Sequence, residues 1–378
     1  MIRRVVRSYA SVARMVAGLC VLALLLSGCS LFTSSGPPWI EMHPRVHPVQ
    51  HGFAFPAAYD AATRQVVLYD GGTNAAPGTQ TWAWNGRDWT ELHLTVHPPH
   101  HQEAVMAYDA QTKKIVLVVP LVTVGNFPHR YRVIVQHMRP GKATSAFVEQ
   151  LYAETRTWTW NGTSWTELHP SASPLDSFGA SMAYDAATGN VVFAGRFGHS
   201  FETWTWNGVT WTQQHPTKSP SARLASAMAY DPQVREVLLF GGTRGAYSGA
   251  PVFGDTWAWN GSTWMRLHPS ASPSARFLAS MAYDPQIREL VLFGGTSMTR
   301  ATSGPLQQFG DTWAWNGATW IRLHPSASPP PLSASSMAYD AATKGLVLFG
   351  GRGPYHHLSD TWSLKIPTHS PRHVGRTQ

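Results

Sequence analysis

Residues 254–269 read GDTWAWNGSTWMRLHP, and this stretch has the pattern of a β-hairpin. Apolar and polar residues alternate on both sides of Asn260-Gly261, a dipeptide that readily takes the two positive-φ positions of a type I′ turn. We therefore predict two short antiparallel strands joined by a two-residue turn. In that register Trp257 faces Trp264, and Trp259 lies on the same face of the hairpin.

The hairpin is one half of a repeated unit. It recurs at 81–89, 157–165, 203–211 and 312–320. The other half is the string AYD, a turn and an apolar run that usually ends in Gly-Gly. Its tyrosines are Tyr59, Tyr108, Tyr184, Tyr230, Tyr283 and Tyr339. Six units of four short strands indicate an all-β fold, a six-bladed β-propeller.

The two ends of the repeat region complement each other. Residues 39–44 (WIEMHP) have the pattern of a fourth strand without a third, and residues 360–364 (DTWSL) that of a third strand without a fourth. We infer that the N-terminal segment supplies the outer strand of the last blade, with Trp39 opposite Trp362. This arrangement removes an open sheet edge, and the predicted propeller spans residues 38–364.

The repeats resemble kelch repeats. The shared features are the double glycine, the variable loop and the Trp-bearing strand, together with the PSAR segments at 220–223 and 273–276. Blade two departs from the pattern with Val118-Val119, and blade three with Ala194-Gly195. The resemblance implies a kelch-type propeller and a binding platform more than a reaction, because one fold supports many functions.

The N-terminus has the pattern of an export signal. An Arg-rich segment precedes the apolar run 15–26, which is short for a membrane span, and then comes Leu26-Ser27-Gly28-Cys29. This resembles a bacterial lipobox. It implies a signal peptide over 1–28, a lipidated Cys29 with a tether over 29–37, and a bacterial cell envelope location outside the cytoplasm. An ordinary secretory signal and an uncleaved anchor are the alternatives.

The charge and the cysteines narrow the possible partners. The net charge is +8, but without residues 1–28 it is +4, from 25 Lys and Arg against 21 Asp and Glu. This mild and scattered excess predicts no nucleic-acid partner. Cys20 and Cys29 both lie in the leader, so neither a disulfide framework nor a cysteine metal site is expected in the propeller domain. We also predict that this domain is monomeric. The Pro-, His- and Arg-rich tail 365–378 is predicted to be disordered.

The loops between second and third strands vary in length, and in a propeller they share one face with the connections between blades. Length variation on one face of a repeat protein often marks its binding face. The largest insertion, 120–156, falls at this position in blade two. Its alternating run 131–135 predicts an extra hairpin, with a disordered excursion as the alternative.

Seven residues near first strands or in adjoining loops are candidates for ligand binding at the channel mouth. They are His51, His100, His101, Arg223, Arg276, His356 and His357. Imidazole and guanidinium groups suit an anionic ligand, and imidazole also suits a metal; the alternative is solvated loop histidines. The six histidines that recur at fourth-strand ends cannot converge on one ion. We therefore predict neither a metal nor a cofactor.

Three function classes fit the sequence. The first is a membrane-tethered binding or scaffold module that recognises a glycan or a protein through the loop face. The second is a propeller enzyme, a hydrolase or lyase acting on carbohydrate at the channel mouth. The galactose-oxidase copper site needs a tyrosine crosslinked to a cysteine, and no cysteine is left for it here; nor does the sequence show a paired-carboxylate glycosidase motif. The third is an architectural subunit of the envelope.

Overall fold

The computed structural model describes residues 36–49, 55–72, 78–101, 103–121, 154–175, 179–245, 249–297 and 307–366. The leader, Cys29, His51, the hairpin predicted at 131–135 and the tail beyond residue 366 lie outside these residues. Within the described residues no helix is long and apolar enough to cross a membrane.

The strands form six four-stranded antiparallel sheets in the part of the chain that is described. Strand β1 is Trp39–Met42. Blade 1 contains β2 (Ala57–Asp60), β3 (Gln65–Asp70), β4 (Gln80–Trp84) and β5 (Trp89–Leu92). Blade 2 contains β6 (Val105–Asp109), β7 (Lys114–Leu121), β8 (Glu154–Trp160) and β9 (Trp165–Leu168). Blade 3 contains β10 (Ser181–Asp185), β11 (Asn190–Phe197), β12 (Ser200–Trp206) and β13 (Trp211–Gln214).

The second half of the chain continues the pattern. Blade 4 contains β14 (Ala227–Asp231), β15 (Glu236–Phe240), β16 (Thr256–Trp259) and β17 (Trp264–Leu267). Blade 5 contains β18 (Ser280–Asp284), β19 (Glu289–Phe293), β22 (Thr312–Trp315) and β23 (Trp320–Leu323), with the small hairpin β20 (Thr296–Ser297) and β21 (Gln307–Gln308) in its loop. Blade 6 contains β24 (Ser336–Asp340), β25 (Gly345–Phe349) and β26 (Thr361–Leu364), and β1 is its fourth strand.

The blades form a closed ring. The first strands of neighbouring blades contact one another in the cyclic order β2, β6, β10, β14, β18, β24 and back to β2. Six apolar clusters fill the spaces between adjacent blades. The predicted six-bladed β-propeller is thus confirmed, as is closure by the N-terminal strand.

The closure register differs from the predicted one. Trp39 pairs with Leu364, and Glu41 pairs with Trp362. The expectation that Trp39 faces Trp362 is therefore wrong. The indole of Trp39 instead lies between blades, 1% exposed, and its ring centroid is 5.4 Å from that of Phe293.

The hairpin turn also differs from the predicted type. Trp259 pairs with Trp264 and Trp257 with Arg266, so the loop has four residues and not two. Only Gly261 of the Asn-Gly pair has positive φ, at 91°. The Asn260 side chain explains the loop, because its Oδ1 accepts the amide N–H groups of Ser262 and Thr263 at 3.1 and 3.0 Å. The register shifts by two residues, so the three indoles still share one face.

A hydrogen bond between indole and threonine recurs at every interface between blades. The first Trp of each fourth strand donates from Nε1 to the Oγ1 of a buried Thr in the third strand of the preceding blade. The pairs are Trp39–Thr312, Trp89–Thr361, Trp165–Thr81, Trp211–Thr157, Trp264–Thr203 and Trp320–Thr256, at 2.9–3.1 Å. Each indole is thereby buried without leaving its one donor unpaired.

The turns after the first strands are closed by the AYD aspartates. In blades 1, 2, 3 and 6 the carboxylate accepts an amide N–H two residues on and a Thr hydroxyl three residues on; in blade 6 Thr343 donates to Asp340 at 2.8 Å. Blade 5 has Ile287 where the Thr would be. Oδ2 of Asp284 is fully buried there and has no hydrogen-bond partner among the described residues. Burial accordingly raises the pKa of Asp284 to about 6.

Replacing Trp39 by Ala should destabilise the fold strongly. The substitution removes a buried indole and leaves Thr312 without its donor, so we expect a loss of about 3–5 kcal/mol in the free energy of unfolding. Chemical denaturation of both proteins measures it. Ile40→Ala in the same strand is the control, because Ile40 is 49% exposed and should cost little. Equal effects of the two substitutions would contradict closure through Trp39.

Replacing Asp284 by Asn should stabilise the protein at neutral pH. The raised pKa means that the folded state holds a proton more tightly than the unfolded state, so the wild-type protein loses stability as pH rises from about 4 through 6. The amide cannot ionise and would remove this cost, a gain of at most about 3 kcal/mol at pH 7.5 that shrinks at pH 4.5. Asp340→Asn is the matched control and should show no gain, because Asp340 has its Thr partner. Thermal unfolding at both pH values tests this, and a gain that does not depend on pH would contradict it.

Candidate functional site

Two faces of the propeller differ in construction. The loop face carries the connections between second and third strands and those between blades. The tight-turn face carries the Asp turns and the Asn-Gly loops, all four residues long where they are described. Among the described residues, the loops that differ in length between blades therefore lie on the loop face.

On the loop face the channel mouth is bordered by backbone. Ala225 N–H donates to Gly179 C=O at 2.6 Å, Leu278 N–H to Ala225 C=O at 2.9 Å, and Ala334 N–H to Leu278 C=O at 2.9 Å. Ala225, Leu278 and Ala334 all have φ of 55–57°, a conformation that is costly for residues with a Cβ and that persists only where the surroundings require it. The mouth between blades 3 and 6 is thus lined by hydrogen-bonded backbone and small or apolar side chains.

Arg223 and Arg276 are structural in this arrangement. Both are 1% exposed, and each forms a bidentate ion pair, Arg223 with Asp255 at 2.6 and 3.1 Å and Arg276 with Asp311. Backbone and Ser221 oxygens take the other three N–H groups of Arg223. Burial raises the pKa of Asp255, but the hydrogen bonds and charge of Arg223 outweigh it and lower the pKa overall.

Each guanidinium also lies over an aromatic ring, at 4.1 Å from the Phe253 centroid for Arg223 and 4.0 Å from the Phe309 centroid for Arg276. With its donors all paired, Arg223 has none to offer a ligand. Ligand binding by the two arginines stays a prediction of the sequence, and we do not place them in the site.

The predicted histidines lie in separate blades. His100 and His101 precede blade 2. Nδ1 of His101 accepts the amide N–H of Glu103 at 3.2 Å. Burial, and to a smaller extent the nearby His100, lowers the pKa of His101. His356 and His357 are exposed in the blade 6 loop, beside Tyr355, which is 94% exposed. The described residues contain no cluster of three His, Cys, Asp or Glu side chains that could hold a metal ion.

A cleft of about 380 Å³ lies between blades 2 and 3. We call it the blade 3 cleft. Its lining residues are Thr155, Pro170, Ser171, Ala172, Ser173, Pro174, Leu175, Glu202, Trp204 and Gln213. Trp204 Nε1 donates to Glu202 Oε2 at 2.9 Å, and Thr155 Oγ1 donates to Pro174 C=O at 2.5 Å. Trp204 is 8% exposed and forms part of the wall, whereas Glu202 and Gln213 are partly exposed.

The cleft is a variation on the arginine sites of blades 4 and 5. There the first Trp of the third strand donates to an acid two residues earlier, Trp257 to Asp255 and Trp313 to Asp311, and an arginine covers that acid. Trp204 and Glu202 repeat the Trp-acid pair in blade 3. Seven residues before the AYD tyrosine, where the arginine stands in blades 4 and 5, blade 3 has Ser177.

Within the described residues Glu202 therefore lacks the arginine that Asp255 and Asp311 have. Among the described residues no Lys or Arg forms an ion pair with it. Oε1 of Glu202 is left as an acceptor in the cleft, which the Gln213 side chain also lines. Sequence inspection missed this site, although aligning the blades on their AYD strings reveals Ser177 in place of arginine.

Comparison with known proteins supports the fold. No protein-family model and no curated protein matches the chain. The solved structure of YjhT is similar, with a TM-score of 0.58 and 13% sequence identity over 85% of this chain and 97% of that one. A fungal alcohol oxidase of the AA5 family in complex with copper has a TM-score of 0.49 at 13% identity, over 83% of this chain and 62% of that one. At these identities the likeness to YjhT shows the propeller fold alone, and the likeness to the oxidase carries no argument.

Proposed function

We propose that this chain is an extracytoplasmic binding module of kelch type, tethered to a bacterial membrane through Cys29, that recognises a glycan through its loop face. The observation that carries the proposal is the blade 3 cleft. In it a carboxylate with no cation partner in the described part of the chain, an amide and hydroxyl groups line a partly apolar wall. This combination is typical of ligand sites, in which a few polar groups fix the orientation of a ligand that packs on apolar surface.

A glycan suits these groups. Its hydroxyls donate to a carboxylate and exchange hydrogen bonds with an amide, while its C–H groups pack on Pro174 and Leu175. Hydrogen bonds to an ionised acceptor such as Glu202 are the stronger kind. The insertion in blade 2 starts close to this cleft. Strands β7 and β8 pair as far as Leu121 and Glu154, and the next residue, Thr155, lines the cleft.

The cleft favours binding over hydrolysis. Glu202 is the single carboxylate among its described lining residues, whereas most glycosidases use a pair of carboxyl groups on either side of the scissile bond. The enzyme alternative therefore has less support at this cleft than recognition.

A glycan-array screen with the Glu202→Gln variant tests the site. The substitution keeps the shape and can still accept from Trp204, but it removes the charge, so we expect a glycan that binds the wild-type protein to bind at least about tenfold more weakly. The matched control is the double substitution His356→Ala and His357→Ala on the same face, which should leave binding unchanged. Loss of binding only in the histidine variant would return the site to the loops predicted from sequence. No glycan binding by the folded protein would favour a protein ligand instead.

Replacing Cys29 by Ser tests the tether separately. The proposed thioether-linked diacylglycerol cannot form on serine, so we expect the variant to lose incorporation of a labelled fatty acid. Cys20→Ser is the control, because that cysteine lies inside the apolar run of the leader. Labelling of the Cys29→Ser variant at the wild-type level would contradict lipidation at this residue.

A further inference from the structure

The tight-turn face carries a ring of exposed cations. The last residue of each Asp turn is basic in five of the six blades, and blade 3 has Gly189 at this position. The five are Arg64, Lys113, Arg235, Arg288 and Lys344, all exposed and all with φ between 55° and 60°. These turns join the first two strands of each blade, so the five residues surround the channel. We call them the turn-face cation ring.

The carboxylates of the same turns do not neutralise this ring at the surface. The six AYD aspartates are 0–1% exposed and are occupied by the turn backbone. Glu289 is 9% exposed and Glu236 is partly buried. Asp88, in the Asn-Gly loop of blade 1, is partly exposed and pairs with its neighbour Arg87 at 3.8 Å. Exposed positive charge thus stands over buried negative charge, so a partner that approaches this turn position meets the cations first.

The face is also regular and partly apolar. Its described Asp turns and Asn-Gly loops are all four residues long. Val209, in the Asn-Gly loop of blade 3, is 77% exposed, and Val234, in the Asp turn of blade 4, is 37% exposed. A face that combines cations with exposed valines fits an interface between anionic headgroups and acyl chains better than it fits a soluble polyanion.

The chain joins the propeller at this same face. Trp39 pairs with Leu364, and Leu364 pairs on its other side with Leu346. Leu346 is the second residue of β25, just after the Asp turn of blade 6. Strand β1 therefore begins at the tight-turn end of its blade. The described residues that lead into β1 reach the blade at its tight-turn end, whereas Glu202 of the blade 3 cleft lies at the loop-face end of its strand.

We propose that the tight-turn face is a binding surface for an anionic membrane, so that the propeller lies with its cation ring against the lipid headgroups and its loop face directed away. This goes beyond the proposed ligand recognition and does not depend on it. It also does not depend on lipidation, because the ring acts through charge, and the two can be separated by experiment.

Vesicle binding by matched charge variants tests the proposal. The full chain with Cys29→Ser, which carries no acyl group, is the parent. The first variant replaces the five ring residues by Asn, which tolerates positive φ. The second variant replaces five other exposed arginines by Asn. These lie in loop-face loops or in third and fourth strands. Both variants therefore change the net charge by the same amount. These five are Arg156, Arg244, Arg266, Arg322 and Arg352.

Co-sedimentation is measured with phosphatidylcholine vesicles that contain either no phosphatidylglycerol or a fraction of about 30%, enough to give the surface a negative potential. Unfolding curves first confirm that each protein is folded. We expect the ring variant to lose at least about tenfold in its partition onto the anionic vesicles. The second variant should retain the binding of the parent, and neutral vesicles should bind all three proteins equally weakly.

Two outcomes would overturn the proposal. Equal binding of the two variants to anionic vesicles would show that only net charge or the leader matters. Ring-dependent binding to soluble polyphosphate without ring-dependent binding to vesicles would exclude the membrane as the partner of this face.

Discussion

The indole-to-threonine hydrogen bond between blades is the interaction on which the rest of the structure depends. A propeller blade buries both of its faces against its neighbours, and burying an indole N–H without an acceptor costs free energy. Six third-strand indoles, among them those of Trp84 and Trp259, have no hydrogen-bond partner among the described residues. Each fourth-strand Trp, in contrast, donates to a buried Thr of the preceding blade. Because the bond crosses the interface at all six places, it fixes the spacing of the blades. It also explains why β1 must return to blade 6, since Trp39 is the donor that Thr312 requires.

Within this frame, single substitutions between repeats decide what each blade can do. An acid two residues before the third-strand Trp accepts its indole N–H in blades 3, 4 and 5. Where an arginine is present, the acid is consumed by a buried ion pair, which would be strongly destabilising to break on one side only. Where the arginine is replaced, as in blade 3, the acid is left beside a cleft. Function is thus expected where the repeat loses a stabilising partner.

The loop face and the tight-turn face differ in their loops and in the residues that they expose. The loop face varies in length, carries the cleft and the exposed histidines, and has its mouth tied by backbone hydrogen bonds from Gly179 to Ala334. The tight-turn face is uniform in loop length, and five of its six Asp turns lie beside the Asn-Gly loop of the next blade; for example, the methyl group of Thr343 lies against Gly86. Uniform turns place equivalent residues at similar distances from the axis. A basic residue at one turn position therefore becomes a ring.

The sequence by itself determined the number of blades, the four strands of each and the closure by β1, because repeat period, strand alternation and turn residues are local properties. The same reading failed at the Asn260-Gly261 turn, where the side chain of Asn260 accepts two amides of a four-residue loop, and at Trp39, whose partner depends on the register between the two ends of the propeller. A sequence shows the charges of Arg223 and Arg276 but not the carboxylates that pair with them, Asp255 and Asp311. Only the tertiary structure brought Arg64, Lys113, Arg235, Arg288 and Lys344 to one face and left Glu202 without a cation among the described residues, because both depend on which residues of distant repeats become neighbours.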